Sequence, residues 1–418
     1  MRNAIHDLMI SPKNIRGIVM RKESLLQNHF KDTFSFMHKK RQTVLFGAVD
    51  ALMEGASLTL SSLGRNFKGA AKERHQIRKM DRLLGNKHLH QEIPMIYKGI
   101  NELIITKNKP VISVDWSCLS YAEGIYLLRA SLRINGRSLV CYQEIHPKEH
   151  ENNDTVHCQF LDNLKSVLPL NTAPIIVTDA IFSTLWFKKV IDLGWHFVGR
   201  VRTNRGNYFY QDKWRPVSEA YQQATSIPNS FNHCLLTEKN KLPCRMVIYK
   251  KLPQGRKKKN AKGCLAKGSY ENALAKGSKD PWFLATSLTE EEASALEVVK
   301  YYSSRMQIEE EFRDTKSHKY GFGLSDSGTK IHIRIHVLLI INLLASIFCW
   351  IIACSAVQKK QHLDYHANSS KKLNILSAIT LGKRVYKKIK NFSVYHFKAA
   401  FSYWIKLING QLIYGEIL

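Results

Sequence analysis

Two aspartates stand where the sequence predicts short buried strands to end. Asp115 closes the apolar run VISVD, and Asp179 closes the run PIIVTD. Either carboxylate alone could cap a turn or a helix, and that interpretation stays open for each residue taken singly. Because carboxylates from separate strands of one sheet can converge at its rim, the pair indicates a site for hard cations such as Mg²⁺.

A third acid lies in a segment of helical periodicity, residues 296–316. At about 100° per residue, four polar side chains fall within an arc of ~60° on one face of a continuous helix. They are Tyr302, Arg305, Glu309 and Lys316. Glu310 and Glu311 fall outside that arc. A salt-bridged surface helix would show the same spacing of acid and base, but the two strand-end aspartates favour a shared catalytic site.

These residue types suit phosphoryl transfer assisted by two metal ions. Two ions roughly 3.5–4 Å apart clamp the attacking and leaving oxygens, and carboxylates hold the ions. Arg305 and Lys316 would hold neighbouring phosphates through charge-assisted bonds, and Tyr302 could add a neutral hydrogen bond. The constellation therefore predicts metal-dependent cutting or joining of a phosphodiester backbone.

The charge balance of the chain indicates a polyanionic partner. Its 418 residues include 63 lysines and arginines against 34 acids, a net charge of +29. So large an excess is costly in self-repulsion unless a polyanion neutralises it. Nucleic acid is favoured, with an anionic membrane surface as the alternative. The eight cysteines show no C-x-x-C spacing and the N-terminus no secretory signal, so a reducing cytoplasm is expected.

The order of predicted elements indicates an α/β fold with an RNase H-like mixed sheet as its catalytic core. Three strands form a meander at 111–145, in which Asn135-Gly136 is a strong hairpin turn, and helices and strands then alternate to residue 202. Five regions follow. They are an N-terminal helical region that binds DNA ends (1–105), the first part of the core (106–205), an inserted β-rich, lysine-rich subdomain (206–288), the second part of the core (289–357) and a basic helical C-terminal region suited to dimerisation (358–418).

Two charged segments lie outside the predicted catalytic core. Residues 58–90 predict two short helices, and the second carries Arg74, Arg78 and Arg82. A helix-turn-helix that docks on DNA would explain them, and so would a solvated basic face. The lysine-rich stretch 255–280 has a loose AKG repeat and is typical of an exposed insertion.

One apolar segment, residues 337–357, is long enough to span a membrane. It contains Asn342, Ser346 and Ser355, and it directly follows the predicted catalytic helix. Because large cores also contain helices that are apolar on all sides, we favour a buried core helix and expect no membrane partner.

Three motifs make the sequence recognisable. They are VDWS around Asp115, VTDA around Asp179, and the pattern Tyr302-x2-Arg305-x3-Glu309-x6-Lys316. Together they closely resemble the DDE transposases of bacterial insertion sequences that carry the Y-R-E-K signature, and among these the cut-and-paste elements. The resemblance extends over nearly the whole chain, but not over the residues before Met20. We therefore expect that translation of the family-like sequence starts at Met20 and that Met1 is an additional upstream start. Ile181 departs from the pattern, since family members often have glycine there, and this predicts a shifted loop behind Asp179.

The resemblance implies a mechanism that spacing alone does not reveal. Asp115, Asp179 and Glu309 would be the catalytic residues and the ligands of two Mg²⁺ ions, for which Mn²⁺ could substitute. Tyr302, Arg305 and Lys316 would contact the end of the element. Nicking, hairpin formation, hairpin opening and strand transfer into target DNA would follow at one site. A homodimeric synaptic complex acting on DNA in the bacterial cytoplasm, in association with the nucleoid, is also implied.

Trp282 is a further candidate, because it lies in the strand-like run PWFLATSL, 27 residues before Glu309. The apolar residues around Trp282 by themselves favour core packing for its side chain. The resemblance favours a platform for a base flipped out of the element end, where stacking on an indole stabilises the unstacked base.

Two alternatives to a transposase remain: an RNase H-like nuclease that cuts without joining, and an inactive copy that only binds element ends.

Overall fold

This computed structural model of the chain describes residues 18–134, 136–203, 206–251, 280–365 and 376–412. The strands in chain order are β1 (Val19–Arg21), β2 (Val111–Ser120), β3 (Ile125–Ile134), β4 (Arg137–Pro147), β5 (Ile175–Thr178), β6 (His196–Val201), β7 (Asn207–Tyr210), β8 (Lys213–Pro216), β9 (Asn229–Leu236), β10 (Leu242–Tyr249), β11 (Trp282–Thr286) and β12 (Asn391–Ser393).

Helices flank these strands and occupy both ends of the chain. In chain order they are α1 (Lys22–His29), α2 (Lys39–Glu54), α3 (Leu60–Arg65), α4 (Glu73–Leu84), α5 (Lys87–Ile104), α6 (Asp154–Val167), α7 (Thr184–Asp192), α8 (Val217–Gln222), α9 (Ala295–Ser304), α10 (Met306–Lys316), α11 (His332–Gln358), α12 (Ala378–Lys388) and α13 (Val394–Ile408).

A ten-stranded mixed sheet forms the centre of the molecule, in the order β4-β3-β2-β5-β6-β11-β10-β9-β7-β8. Strands β2 to β4 are antiparallel neighbours, whereas β5 runs parallel to β2 and β6 parallel to β5. Helices α6 and α7 make the two crossovers that parallel pairing requires. This mixed α/β arrangement fits the predicted RNase H-like core.

The hairpin between β3 and β4 follows the predicted turn. Ile134 pairs directly with Arg137, which leaves two residues in the loop. Gly136 has a φ of +83°, a conformation that two-residue hairpin turns need and that glycine adopts at little cost.

Residues 206–288 contribute strands to this same sheet. Strand β11 pairs with β6 on one side and with β10 on the other, so β7 to β10 extend the sheet beyond the core strands. Apart from Asp280, the lysine-rich stretch 255–280 lies outside the described residues. The division of the chain into five functional regions stays a prediction.

Helix α11 is the long apolar segment identified in the sequence. By length and composition it could cross a membrane, but 94% of its most apolar window is buried inside the protein. Helices α2, α12 and α13 and strand β4 pack around it. The structure therefore places this segment in the core, where the surrounding elements cover its apolar surface.

The predicted continuous helix over 296–316 is wrong at Arg305. The structure has two helices, α9 and α10, which meet at this residue. There the backbone N–H of Arg305 donates to the carbonyl of Tyr302, and that of Ile308 to the carbonyl of Arg305. These bonds span three residues instead of four, so the helix tightens locally at the junction.

The N-terminal helices α3 and α4 cross closely at Gly64. A Cβ atom on Gly64 would lie 2.6 Å from the Cα atom of Ile77, so the close approach depends on glycine. Residues 66–72 separate the two helices, a connection longer than the usual three or four residues of a helix-turn-helix. The pair therefore differs from the standard helix-turn-helix in the length of its connection.

Candidate active site

The sheet register brings Asp115 and Asp179 side by side. The parallel pairing of β2 with β5 ends at Val114 and Thr178, and the two aspartates are the next residue on each strand. The prediction that β2 ends at Asp115 is wrong, because the strand continues to Ser120 in its pairing with β3. Asp115 instead marks the point at which β2 leaves β5, and this point is the rim of the parallel part of the sheet.

The guanidinium of Arg305 lies among the three predicted acids. Its Nη1 donates to Asp115 Oδ2 at 2.6 Å, and its Nη2 donates to Glu309 Oε1 at 3.0 Å. The same Nη2 lies 4.0 Å from Asp179 Oδ2. The junction between α9 and α10 thus places a cation where β2, α10 and the end of β5 meet.

Asp179 has two further partners. The Tyr302 hydroxyl donates to its Oδ1 at 3.1 Å, and Arg202 Nη2 donates to its Oδ2 at 3.4 Å. Arg202 directly follows β6 and was not identified from the sequence. Its position after a strand parallel to β5 was the available signal, because such residues share the rim with the acids. The predicted loop shift behind Asp179 remains untested, although Ile181 packs against the core there.

Lys316 anchors the far end of α10 to β2. Its Nζ donates to Ser117 Oγ at 2.9 Å and to the Cys118 carbonyl at 3.3 Å. Lys316 also lines a cleft of about 510 Å³ together with Asp115 and Glu309. The Glu309 side chain is 47% exposed, so of the three acids it is the most open to solvent.

Burial and neighbouring charges set the two aspartates apart. Burial raises the pKa of Asp115 to about 6, although the nearby Arg305 opposes the shift. Burial would also raise the pKa of Asp179, but Arg305 and Arg202 hold it below its usual value. Burial raises the pKa of Tyr302 to about 12, so its hydroxyl remains a neutral donor at physiological pH.

The donor set fits a hard divalent cation, because three carboxylates from separate elements converge on one positive group. With Arg305 between them, the oxygens of these three acids do not all lie within 4.8 Å of one another. Among the described residues, the one set of three potential ligands that does meet this distance is Glu23, Asp50 and Glu54. Lys68 contacts all three of those acids, so that cluster is neutralised by a salt-bridge network.

Trp282 lies beside the site, in contact with Tyr302. The two rings meet edge to face with centroids 4.9 Å apart, and Tyr249 lies on the other side at 5.8 Å. The indole is half-buried. Core packing and a platform for a base both remain compatible with this position.

The predicted DNA-binding arginines lie on α4, away from the acids in the sequence. Arg74, Arg78 and Arg82 are four residues apart, so they form one exposed stripe along the helix. Among the described residues none of them forms an ion pair with an acid. Their role in binding DNA stays a prediction.

Comparison with known proteins identifies the family. A family model described as "Transposase DDE domain" matches residues 106–347, more than half of the chain. No curated protein is similar enough to match. The matched range contains all three acids and the residues that contact them, and it leaves out the N-terminal helices. On this match, the chain belongs to the DDE transposase family.

Proposed function

We propose that this transposase binds the ends of an insertion sequence, excises the element through nicked and hairpin intermediates, and joins it to target DNA. The observation that carries the proposal is the convergence of Asp115, Asp179 and Glu309 on one guanidinium. A salt-bridged surface helix would not explain why acids from two neighbouring strands also approach this guanidinium, whereas a site for two metal ions needs several carboxylates.

Each acid has a distinct part in this proposal. Asp115 and Asp179, held by adjacent strands, would form the rigid side of the metal site. Glu309 would close it from α10, where its exposure leaves it accessible to the metal ions and the substrate. When bound, Mg²⁺ or Mn²⁺ ions supply charge stabilisation for the attacking and leaving oxygens.

The basic and phenolic residues would position the DNA strand. Arg305 binds carboxylate oxygens in this structure and can bind phosphate oxygens with the same planar fork. Lys316 would hold a second phosphate along β2, and Tyr302 would donate a hydrogen bond near Asp179. The net charge of +29 supports binding of a DNA duplex. We further propose that a homodimer binds this DNA, in association with the nucleoid.

Alanine substitution at each acid tests the assignment. Asp115→Ala, Asp179→Ala and Glu309→Ala should each abolish metal-dependent cleavage of a labelled element end, while gel-shift affinity for that end remains. The matched control is Glu310→Ala, which changes the neighbouring acid on α10 and should cleave at close to the wild-type rate. Cleavage by Glu309→Ala at the wild-type rate would refute the assignment.

The products distinguish a transposase from a nuclease that only cuts. Short inverted repeats, sought in the DNA on either side of the reading frame, would provide the end substrate, and a supercoiled plasmid would provide the target. Joined molecules with short target duplications are expected, together with a hairpin intermediate on denaturing gels. Simple cleavage without joined product would reject transposition and retain the nuclease.

A further inference from the structure

A fully buried arginine lies directly beneath α10. Arg129 on β3 has no exposed surface, and its Nε donates to Gln143 Oε1 at 2.9 Å. Its Nη1 donates to Thr315 Oγ1 at 3.1 Å. These bonds join two strands of the sheet to the helix that carries Glu309 and Lys316.

The strand register places this arginine on the same face of the sheet as the catalytic acid. Arg129 is directly opposite Asp115 in the β2–β3 pairing and directly opposite Gln143 in the β3–β4 pairing. Residues opposite each other on neighbouring strands project to the same side. A row of three polar side chains therefore begins at the candidate metal site, and its middle member, Arg129, contacts α10.

Glu311 fastens the helix to the same row. Its Oε2 accepts hydrogen bonds from Ser131 Oγ at 2.6 Å and Ser138 Oγ at 2.8 Å. Its Oε1 lies 3.8 Å from Arg129 Nη1. Glu311 follows Glu309 by two residues, so its side chain points into the sheet whereas that of Glu309 points towards Arg305.

Stability alone does not explain this arrangement. A buried ion pair is often no more stabilising than apolar residues of the same volume, because both charges lose their hydration. Arg129 Nη2 has no hydrogen-bond partner among the described residues, which adds to that cost. The pair instead defines an orientation. A planar guanidinium and a carboxylate with two hydroxyl partners together fix how α10 is rotated about its axis against the sheet.

We infer that Arg129 and Glu311 are positioning residues that fix the rotation of α10, and so hold Glu309 at the distance from Asp115 that metal binding requires. The inference rests on the proposed function, because it assumes that the three acids bind the metal. According to this inference, a buried pair that contacts neither DNA nor metal controls the affinity of the site for metal ions.

Three single variants test this role. Arg129→Met replaces the guanidinium with a shorter apolar side chain, Arg129→Lys retains the charge without the fork, and Glu311→Gln retains the shape without the charge. Calorimetric titration of Mn²⁺ into the complex of protein and end DNA measures metal binding without catalysis. Each variant should bind Mn²⁺ about tenfold more weakly, as substitutions around metal ligands commonly do.

Two further measurements separate positioning from general damage to the fold. Affinity for end DNA in EDTA should stay within about twofold of wild type, and so should Mn²⁺ affinity in the control Glu310→Gln, which carries the same change on the exposed side of α10. In the double variant Arg129→Met/Glu311→Gln, the loss should match that of the worse single variant, because the two residues act as one unit.

The outcomes are distinct. Folded Arg129→Lys and Glu311→Gln proteins that bind Mn²⁺ as wild type does would overturn the inference, even if Arg129→Met failed to fold. Equal weakening in Glu310→Gln would also overturn it. A wild-type protein that neither binds Mn²⁺ nor cleaves end DNA would instead reject the proposed function itself.

Discussion

Removal of Arg305 should destabilise the protein and make its stability depend on Mg²⁺. The Arg305 side chain is 8% exposed and contacts Asp115, which is 16% exposed, at 2.6 Å. Loss of one partner from a buried pair costs about 3 kcal/mol, since the other charge stays buried. The contact with Glu309 adds little, because that carboxylate is 47% exposed and solvated. We therefore expect Arg305→Ala to lose about 3 kcal/mol in EDTA.

Divalent cations should reverse much of this loss. An ion present at about 100 times its Kd stabilises the folded state by about 2.7 kcal/mol. In the variant the ion meets three carboxylates that have lost the guanidinium, whereas in the wild type it competes with that group. Equilibrium urea unfolding in EDTA and in Mg²⁺ measures both proteins, and the Mg²⁺-dependent gain should be larger for Arg305→Ala.

The matched control is Arg313→Ala, which removes an exposed arginine of α10 that pairs with Glu310. It should change the free energy of unfolding by less than about 0.5 kcal/mol and show no added response to Mg²⁺. An Arg305→Ala protein as stable as wild type in EDTA would refute the role given to the buried pair. Equal stabilisation of the wild type and of Arg305→Ala by Mg²⁺ would refute the idea that the ion competes with the guanidinium.

Three other substitutions probe the DNA contacts and the core. Trp282→Ala should slow hairpin formation far more than the first nick, and an abasic nucleotide at the flipped position should partly restore it; equal loss of both steps would return this residue to the core. Replacing Arg74, Arg78 and Arg82 together should remove specific end binding in gel shifts yet leave non-specific nicking at high enzyme concentration, and unchanged end binding would contradict their assignment. His336 is partly buried, and its loss of hydration lowers its pKa to about 4. Because the unfolded histidine binds a proton near pH 6.5, stability should fall as the pH drops from there towards 4, by about 3 kcal/mol more in wild type than in His336→Gln; parallel unfolding curves for the two proteins would speak against this.

The aspartates could be placed from the sequence because each follows a short and mostly apolar run. Such runs predict buried parallel strands, and parallel strands bring their ends to one edge. The exact strand end was missed at Asp115, because β2 continues along its antiparallel partner after it has left β5. Pairing on one side of a strand is not visible in its own hydrophobic pattern.

The interruption at Arg305 could not be predicted, because no proline or glycine marks it. The residues on either side are ordinary helix formers, so the periodicity continues through the junction. The interruption accompanies contacts from Arg305 and Tyr302 to two different strands. Tertiary contacts of this kind override local helix propensity.

Arg129 does leave a signal in the sequence, although its role was not predicted. It lies within the run YLLRASLRI, where a charge interrupts a strand that is otherwise predicted to be buried. Charges at such positions are rare unless paired. Its partner Glu311 is 182 residues away in the chain, and no local rule connects the two.

Helix α11 has a consequence for how the chain is made. Its partners are synthesised at different times, because α2 and β4 precede it whereas α12 and α13 follow it. While the ribosome completes the last residues, one side of an apolar helix of spanning length has no cover. We therefore expect nascent chains to need chaperones at this stage, and chains that end before α12 to aggregate or to be drawn to membranes.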